Sequence, residues 1–161
     1  TAPFRGLKEL YLFWNEITNI ECLEHFPFKR LEKLSLGSNY IEDISVLSKV
    51  PFRRLKVLEL WENNICNIDV LGDLPFKKLK ELDLSKNQIT NLDALASVSL
   101  RRLDKLSLHD NMITNIDVLV QIQFKRVQRL YIENNNVDYS LEHNQKIIEE
   151  LKSNPERDLK Y

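Results

Sequence analysis

The chain of 161 residues is 43% hydrophobic and 29% charged, a globular composition at the length of one domain. Its 23 Lys+Arg and 24 Asp+Glu leave a formal net charge of -1, which argues against a protein that coats nucleic acid or an anionic membrane through bulk charge. No apolar run approaches the roughly 20 residues of a membrane span, no N-terminal stretch reads as a signal peptide, and two cysteines and three glycines make neither a disulfide scaffold nor a glycine-rich phosphate loop.

In chain order, one theme recurs. Phe4, Phe28, Phe52, Phe76, Leu100 and Phe124 are each 24 residues apart. The spacing divides a single domain, 1–161, into units 4–27, 28–51, 52–75, 76–99 and 100–123, a shortened unit 124–140, and a C-terminal segment 141–161. Each unit holds an alternating segment such as Leu58-Glu59-Leu60, whose leucines face inward while the residue between faces out. One short strand per coil, stacked at about 4.8 Å, predicts a parallel sheet of six strands. A single coil cannot bury its own apolar side, so the stack is the core.

Where each strand ends stands an asparagine: Asn15, Asn39, Asn63, Asn87, Asn111 and Asn135. A buried amide there can satisfy the backbones of adjacent coils, a structural role rather than a ligand site. Further on, Glu21, Ser45, Asp69, Asp93 and Asp117 are in register and predict N-caps on short helical turns. Pro27, Pro51 and Pro75 then end those turns. After Val137, an apolar stripe of Leu141, Ile147, Ile148 and Leu151 predicts a helix ending before Pro155 that caps the last coil. Only three residues precede Phe4, so the expectation is that further chain or another molecule covers that end.

The common pattern is F-x-x-L-x-x-L-x-L-x-x-N-x-I-x-x-I-x-x-L. It resembles the leucine-rich repeat family, with signature L-x-x-L-x-L-x-x-N-x-L, over residues 4–137. The Ile-x-x-Ile-x-x-Leu half is similar to the subfamily of the bacterial internalins and the nuclear regulatory subunit of protein phosphatase 1, whose repeats run to about 22 residues. The resemblance implies an α/β fold: a right-handed solenoid with a curved parallel sheet, helical turns outside and a C-terminal capping helix.

Chemistry is sparse. His25, His109 and His143 occupy three different repeat positions, and no zinc spacing, G-x-S-x-G or H-E-x-x-H is present. His109-Asp110 could orient an imidazole, yet no nucleophile is implied beside it. The expectation is a protein that is not an enzyme and needs neither cofactor nor metal. Cys22 and Cys66 lie two coils apart, roughly 10 Å, beyond disulfide reach. Free thiols and the absence of an N-x-[ST] sequon fit an intracellular location.

The outward strand columns vary freely from coil to coil, and aromatics gather on them and their rim. Tyr11, Phe13, Trp14, Tyr40 and Trp61, with Glu59, Glu62 and Asp83, are the candidate partner-binding residues. They suit a protein partner offering an apolar knob and basic residues. Gly37 and Ser85 flank Trp61 in its column and are expected to leave the indole open. On one edge, the pairs Arg5-Gly6, Lys29-Arg30, Arg53-Arg54, Lys77-Lys78, Arg101-Arg102 and Lys125-Arg126 contain eleven basic residues of twelve. That ladder reads as a solvated guard against association; the alternative is a binder of nucleic acid or another anionic surface. The expected function is non-catalytic protein–protein recognition on the concave face. A third reading is a structural segment of a larger repeat protein.

Overall fold

The computed structural model describes residues 4–97, 101–121 and 127–161. Strands β1 (Glu9–Tyr11), β2 (Lys33–Ser35), β3 (Val57–Glu59), β4 (Glu81–Asp83), β5 (Lys105–Ser107) and β6 (Arg129–Tyr131) pair in parallel and in sequence order. Their register is the repeat itself, with Leu10, Leu34, Leu58, Leu82, Leu106 and Leu130 side by side. The result is one open, curved parallel sheet in a leucine-rich-repeat solenoid. The leading Leu100 and Phe124, and Lys125 and Arg126 of the basic ladder, lie outside the described residues.

The periodic positions build the core as expected. Phe28, Phe52 and Phe76, and from the second coil onward the strand leucines and the isoleucine columns, are buried in one continuous cluster, against which Leu7, Leu10, Leu12 and Ile17 of the first coil pack partly buried. Phe4, in the first coil, is 66% exposed. The asparagine column is a hydrogen-bond ladder. Asn63 donates from Nδ2 to the carbonyls of Leu60 and Trp61 in its own coil and of Leu36 in the preceding one, while its Oδ1 accepts the Ile41 N–H. Asn39, Asn87, Asn111 and Asn135 repeat this arrangement. Asn15, with no earlier coil, reaches only Leu12 and Phe13.

Three expectations need correction. The sheet has a seventh strand, β7 (Asp158–Lys160), which returns after helix α1 (Glu142–Lys152) and pairs with β6 through Arg129↔Asp158. Helix α1 does cap the last coil, burying Ile147, Ile148 and Leu151. Leu141, however, is exposed at its N-cap, and the buried Asn144 completes the inner face by donating to the Asp138 carbonyl.

The third correction concerns the caps. Glu21, Ser45, Asp69, Asp93 and Asp117 are the first residues of 3-10 turns, and the cap positions are Ile20, Ile44, Ile68, Leu92 and Ile116. The capping acceptors stand one residue earlier still. Asn19, Asp43, Asn67, Asn91 and Asn115 each accept the N–H two residues on, at 2.6–2.7 Å. These are Asx turns, which hold the bend from strand to return segment without a helical cap.

Candidate functional site

The residues at the outer face of the sheet are positioned by two backbone devices. Strand alternation turns Tyr11, Glu59 and Asp83 outward from between inward-facing leucines, buried around Glu59 and Asp83 and partly buried around Tyr11. At the strand exit, Trp14, Ser38, Glu62, Lys86, Asp110 and Asn134 all adopt left-handed backbone, with φ between 52° and 55°. Each of the first five donates its N–H to a carbonyl of the next coil, as Glu62 does to Ser85 at 2.9 Å. That bond and the neighbouring asparagine ladder hold a conformation L-residues otherwise avoid.

The aromatics concentrate at the β1 end. Trp14 is 72% exposed, Tyr40 55%, Tyr11 51% and Phe13 38%. Phe13 packs edge-on against Tyr11 at 6.1 Å and against Trp14 at 5.4 Å between ring centroids. Trp61 does not stand open as its small neighbours suggested. Its indole lies directly on the buried Gly37, where a Cβ would come within 2.2 Å of Cε2, and the side chain is half-buried. The absent side chain at 37 is the space the ring fills. Ser85, on the other side, is buried and donates its hydroxyl to Asp83 at 2.6 Å.

The acidic residues divide into two kinds. Glu59 meets Lys33 at 2.6 Å, and Asp83 lies 3.9 Å from Lys105. Burial works against the charge on Lys33, but Glu59 outweighs it and raises the ammonium's pKa. Both carboxylates are therefore already balanced. Glu62 is exposed and carries no ion pair among the described residues. The cations that answer Glu59 and Asp83 each stand one coil away, so only three-dimensional register reveals them.

His109 and Asp110 do form a dyad, Nδ1 to Oδ2 at 2.7 Å, and Asn134 donates to the other carboxylate oxygen at 2.8 Å. The hydrogen bond from His109, then that from Asn134, holds Asp110 below the usual carboxylate range. The same-column hydroxyl, Ser85, is committed to Asp83. Cys22 and Cys66 are free thiols, both exposed. Among the described residues no group of three or more His, Cys, Asp or Glu could hold a metal, and no helix is long and apolar enough to cross a membrane.

Comparison with known proteins agrees with this architecture. The family description "Leucine rich repeat" matches residues 53–113 and again 77–137, and "Leucine Rich repeats (2 copies)" matches 5–49. No curated protein sequence matches. Among solved structures, the internalin inlF of Listeria monocytogenes is 27% identical with a TM-score of 0.73, over 86% of this chain and 38% of its own. Internalin C2 of the same species is 26% identical with a TM-score of 0.73, over 96% of this chain and 61% of its own. A leucine-rich-repeat protein of Leptospira interrogans is 25% identical with a TM-score of 0.77, over 98% of this chain and 38% of its own. The chain thus spans between about two fifths and three fifths of these relatives' lengths. The scaffold they share is a non-enzymatic interaction module. With its repeats, asparagine ladder and matching residues together, the chain belongs to the leucine-rich repeat family.

Proposed function

We propose that the chain is a protein-binding module whose concave sheet face takes its partner at the β1 end, through Tyr11, Phe13, Trp14, Tyr40 and Trp61. The observation that carries this reading is the exposed aromatic cluster: Trp14, Phe13 and Tyr11 are linked edge to face and stay open to water, with Lys33 over the Tyr11 ring at 5.4 Å. Large aromatics open to water beside a rigid sheet are the anchors that interfaces use. Trp61, seated on Gly37, forms a firm wall to the cluster instead of a mobile plug. An apolar knob of the partner fits beside it.

The partner's basic residues would meet Glu62 first. Glu59 and Asp83 are shared with Lys33 and Lys105 and would have to exchange partners. They contribute more to orientation than to affinity.

Affinity capture followed by cross-link mapping tests the placement. Cross-links should fall on the sheet face near Trp14 and Trp61. Trp14→Ala, which is largely exposed and costs the fold little, should cost about 2 kcal/mol or more of affinity. Cross-links confined to the 3-10 turns, or unchanged affinity in Trp14→Ala and Phe13→Ala, would overturn the reading.

A further inference from the structure

We infer that the basic ladder is a second docking surface, for an acidic, extended protein segment running across the coils. The ladder is built by one repeated turn. Pro27, Pro51 and Pro75 open it, and the N–H of Leu31, Leu55 and Leu79 returns to the carbonyl of Phe28, Phe52 and Phe76 at 3.0 Å. The flanking Phe and Leu are buried in every case. The two residues at the turn's tip, Lys29-Arg30, Arg53-Arg54 and Lys77-Lys78, are thus held outward and in line, and all six are exposed. The buried flanks fix the spacing, so the row of charge is preorganised.

Two observations separate this row from ordinary surface charge. First, cations on strands β2, β5 and β6 are paired within the protein: Lys33 with Glu59 at 2.6 Å, Lys105 with Asp83 at 3.9 Å, Arg129 with Asp104 at 2.6 Å. No ion pair among the described residues involves a member of the ladder. Removing its eleven cations leaves 12 Lys+Arg against 24 Asp+Glu, so the near-zero net charge hides a strong segregation. Second, the row does not guard a sheet edge. The open hydrogen-bonding edges are β1 and β7, at the two ends of the stack, whereas the described part of the ladder, from Lys29 to Arg102, runs across the coils between them. A groove of about 590 Å³ lies within it, lined by Lys29, Lys49, Arg53 and Arg54 over Val50 and Pro51.

An acidic peptide fits this surface better than a nucleic acid does. The phenylalanines interleaved with the basic pairs are in the core, leaving no aromatic platform for bases. The guanidinium groups of Arg30, Arg53, Arg54, Arg101 and Arg102 suit the two-oxygen geometry of carboxylates. From the turn at Lys29 to that at Arg101 is three coil spacings, about 14 Å, the length of four or five extended residues.

A fluorescein-labelled peptide of eight alternating Glu and Asp residues tests the inference by anisotropy at 50 and 200 mM NaCl. The wild type should bind it at the lower salt and lose affinity several-fold at the higher. Substituting Arg53, Arg54, Lys77 and Lys78 together by Ser should cost about tenfold or more, with an unchanged melting temperature. Lys29→Ser with Arg30→Ser should weaken binding in the same direction if the larger variant unfolds. Trp14→Ala should leave it intact, which separates this surface from the aromatic one. Equal binding by wild type and both charge variants would overturn the inference, as would tighter binding of a ten-residue oligothymidylate, which would assign the row to nucleic acid instead.

Discussion

The indole of Trp61 lies on Gly37, one coil back, so closely that a Cβ at 37 would sit 2.4 Å from Nε1. Gly37 has no left-handed backbone of its own; the ring alone forbids a side chain there. Gly37→Ala should therefore swing the indole outward, shifting tryptophan emission to the red and destabilising the domain. Trp61→Ala, which removes a half-buried ring, should cost about 1–2 kcal/mol. In the double variant the penalty at 37 should vanish, because nothing remains to collide with. A double-mutant cycle by urea denaturation measures that coupling, and strictly additive costs would refute the contact.

The asparagine column gives a matched pair of sites. Asn87 holds the Leu60, Leu84 and Ser85 carbonyls and the Ile65 N–H, all within the core. Asn87→Ala strands those groups and should cost about 3 kcal/mol or more, since each buried orphan costs roughly 1–3. Asn15→Ala removes the same residue type where it is exposed and meets only two carbonyls. Its cost should stay under about 1 kcal/mol. Comparing the two melting curves checks whether burial or residue identity sets the value.

The 24-residue spacing and the alternation at Leu58-Glu59-Leu60 are enough for the stacked strands and the asparagine ladder, and the stripe of Ile147, Ile148 and Leu151 for the capping helix. Strand β7 was invisible because Asp158-Leu159-Lys160 is short and stands 29 residues after Arg129, out of phase with the repeat. The Asx turns were missed because Asp69 and Asp93 carry good capping chemistry, and only backbone geometry places the acceptor at Asn67 and Asn91. The seat of Trp61 is a rotamer chosen by a neighbouring coil, which residue type alone does not encode. Tyr131 is another such case: its hydroxyl reaches Asp158 at 2.6 Å across the join with β7, and that bond raises its pKa.

The left-handed column offers a route to stabilisation. Lys86 sits at φ 54° with its side chain exposed, and its backbone carries the inter-coil bond to His109. A Cβ in that conformation costs on the order of 1 kcal/mol. Lys86→Asn keeps a polar surface and suits the region better, as Asn134 already does in the sixth coil. It should add several tenths of a kcal/mol of stability and so raise the melting temperature slightly. Lys86→Val, branched at Cβ, should lower it clearly. Thermal melts of the two variants would decide, and equal values would deny any strain at this position.

Among the five Asx turns, Asp43 is the one titratable acceptor, the others being Asn19, Asn67, Asn91 and Asn115. Its carboxylate accepts the Ser45 N–H at 2.7 Å. That backbone bond first, and the Ser45 side chain second, hold its pKa below the ordinary 3.8. A lowered folded-state value means that the ionised group stabilises the fold above about pH 4, and that this support is lost as pH falls through the folded pKa. Because the group is exposed, solvent screens the effect to a few tenths of a kcal/mol. Asp43→Asn supplies the acceptor that the other coils use and removes the charge. It should match the wild type in stability near neutrality and lose less below pH 4. Asp43→Ala should be weaker at every pH by about 0.5–1 kcal/mol, the value of a missing turn acceptor. Melting temperatures of the three proteins from pH 3 to 7 give the test. Wild-type and Asn curves that stay parallel throughout would mean that the Asp43 charge contributes nothing to the turn.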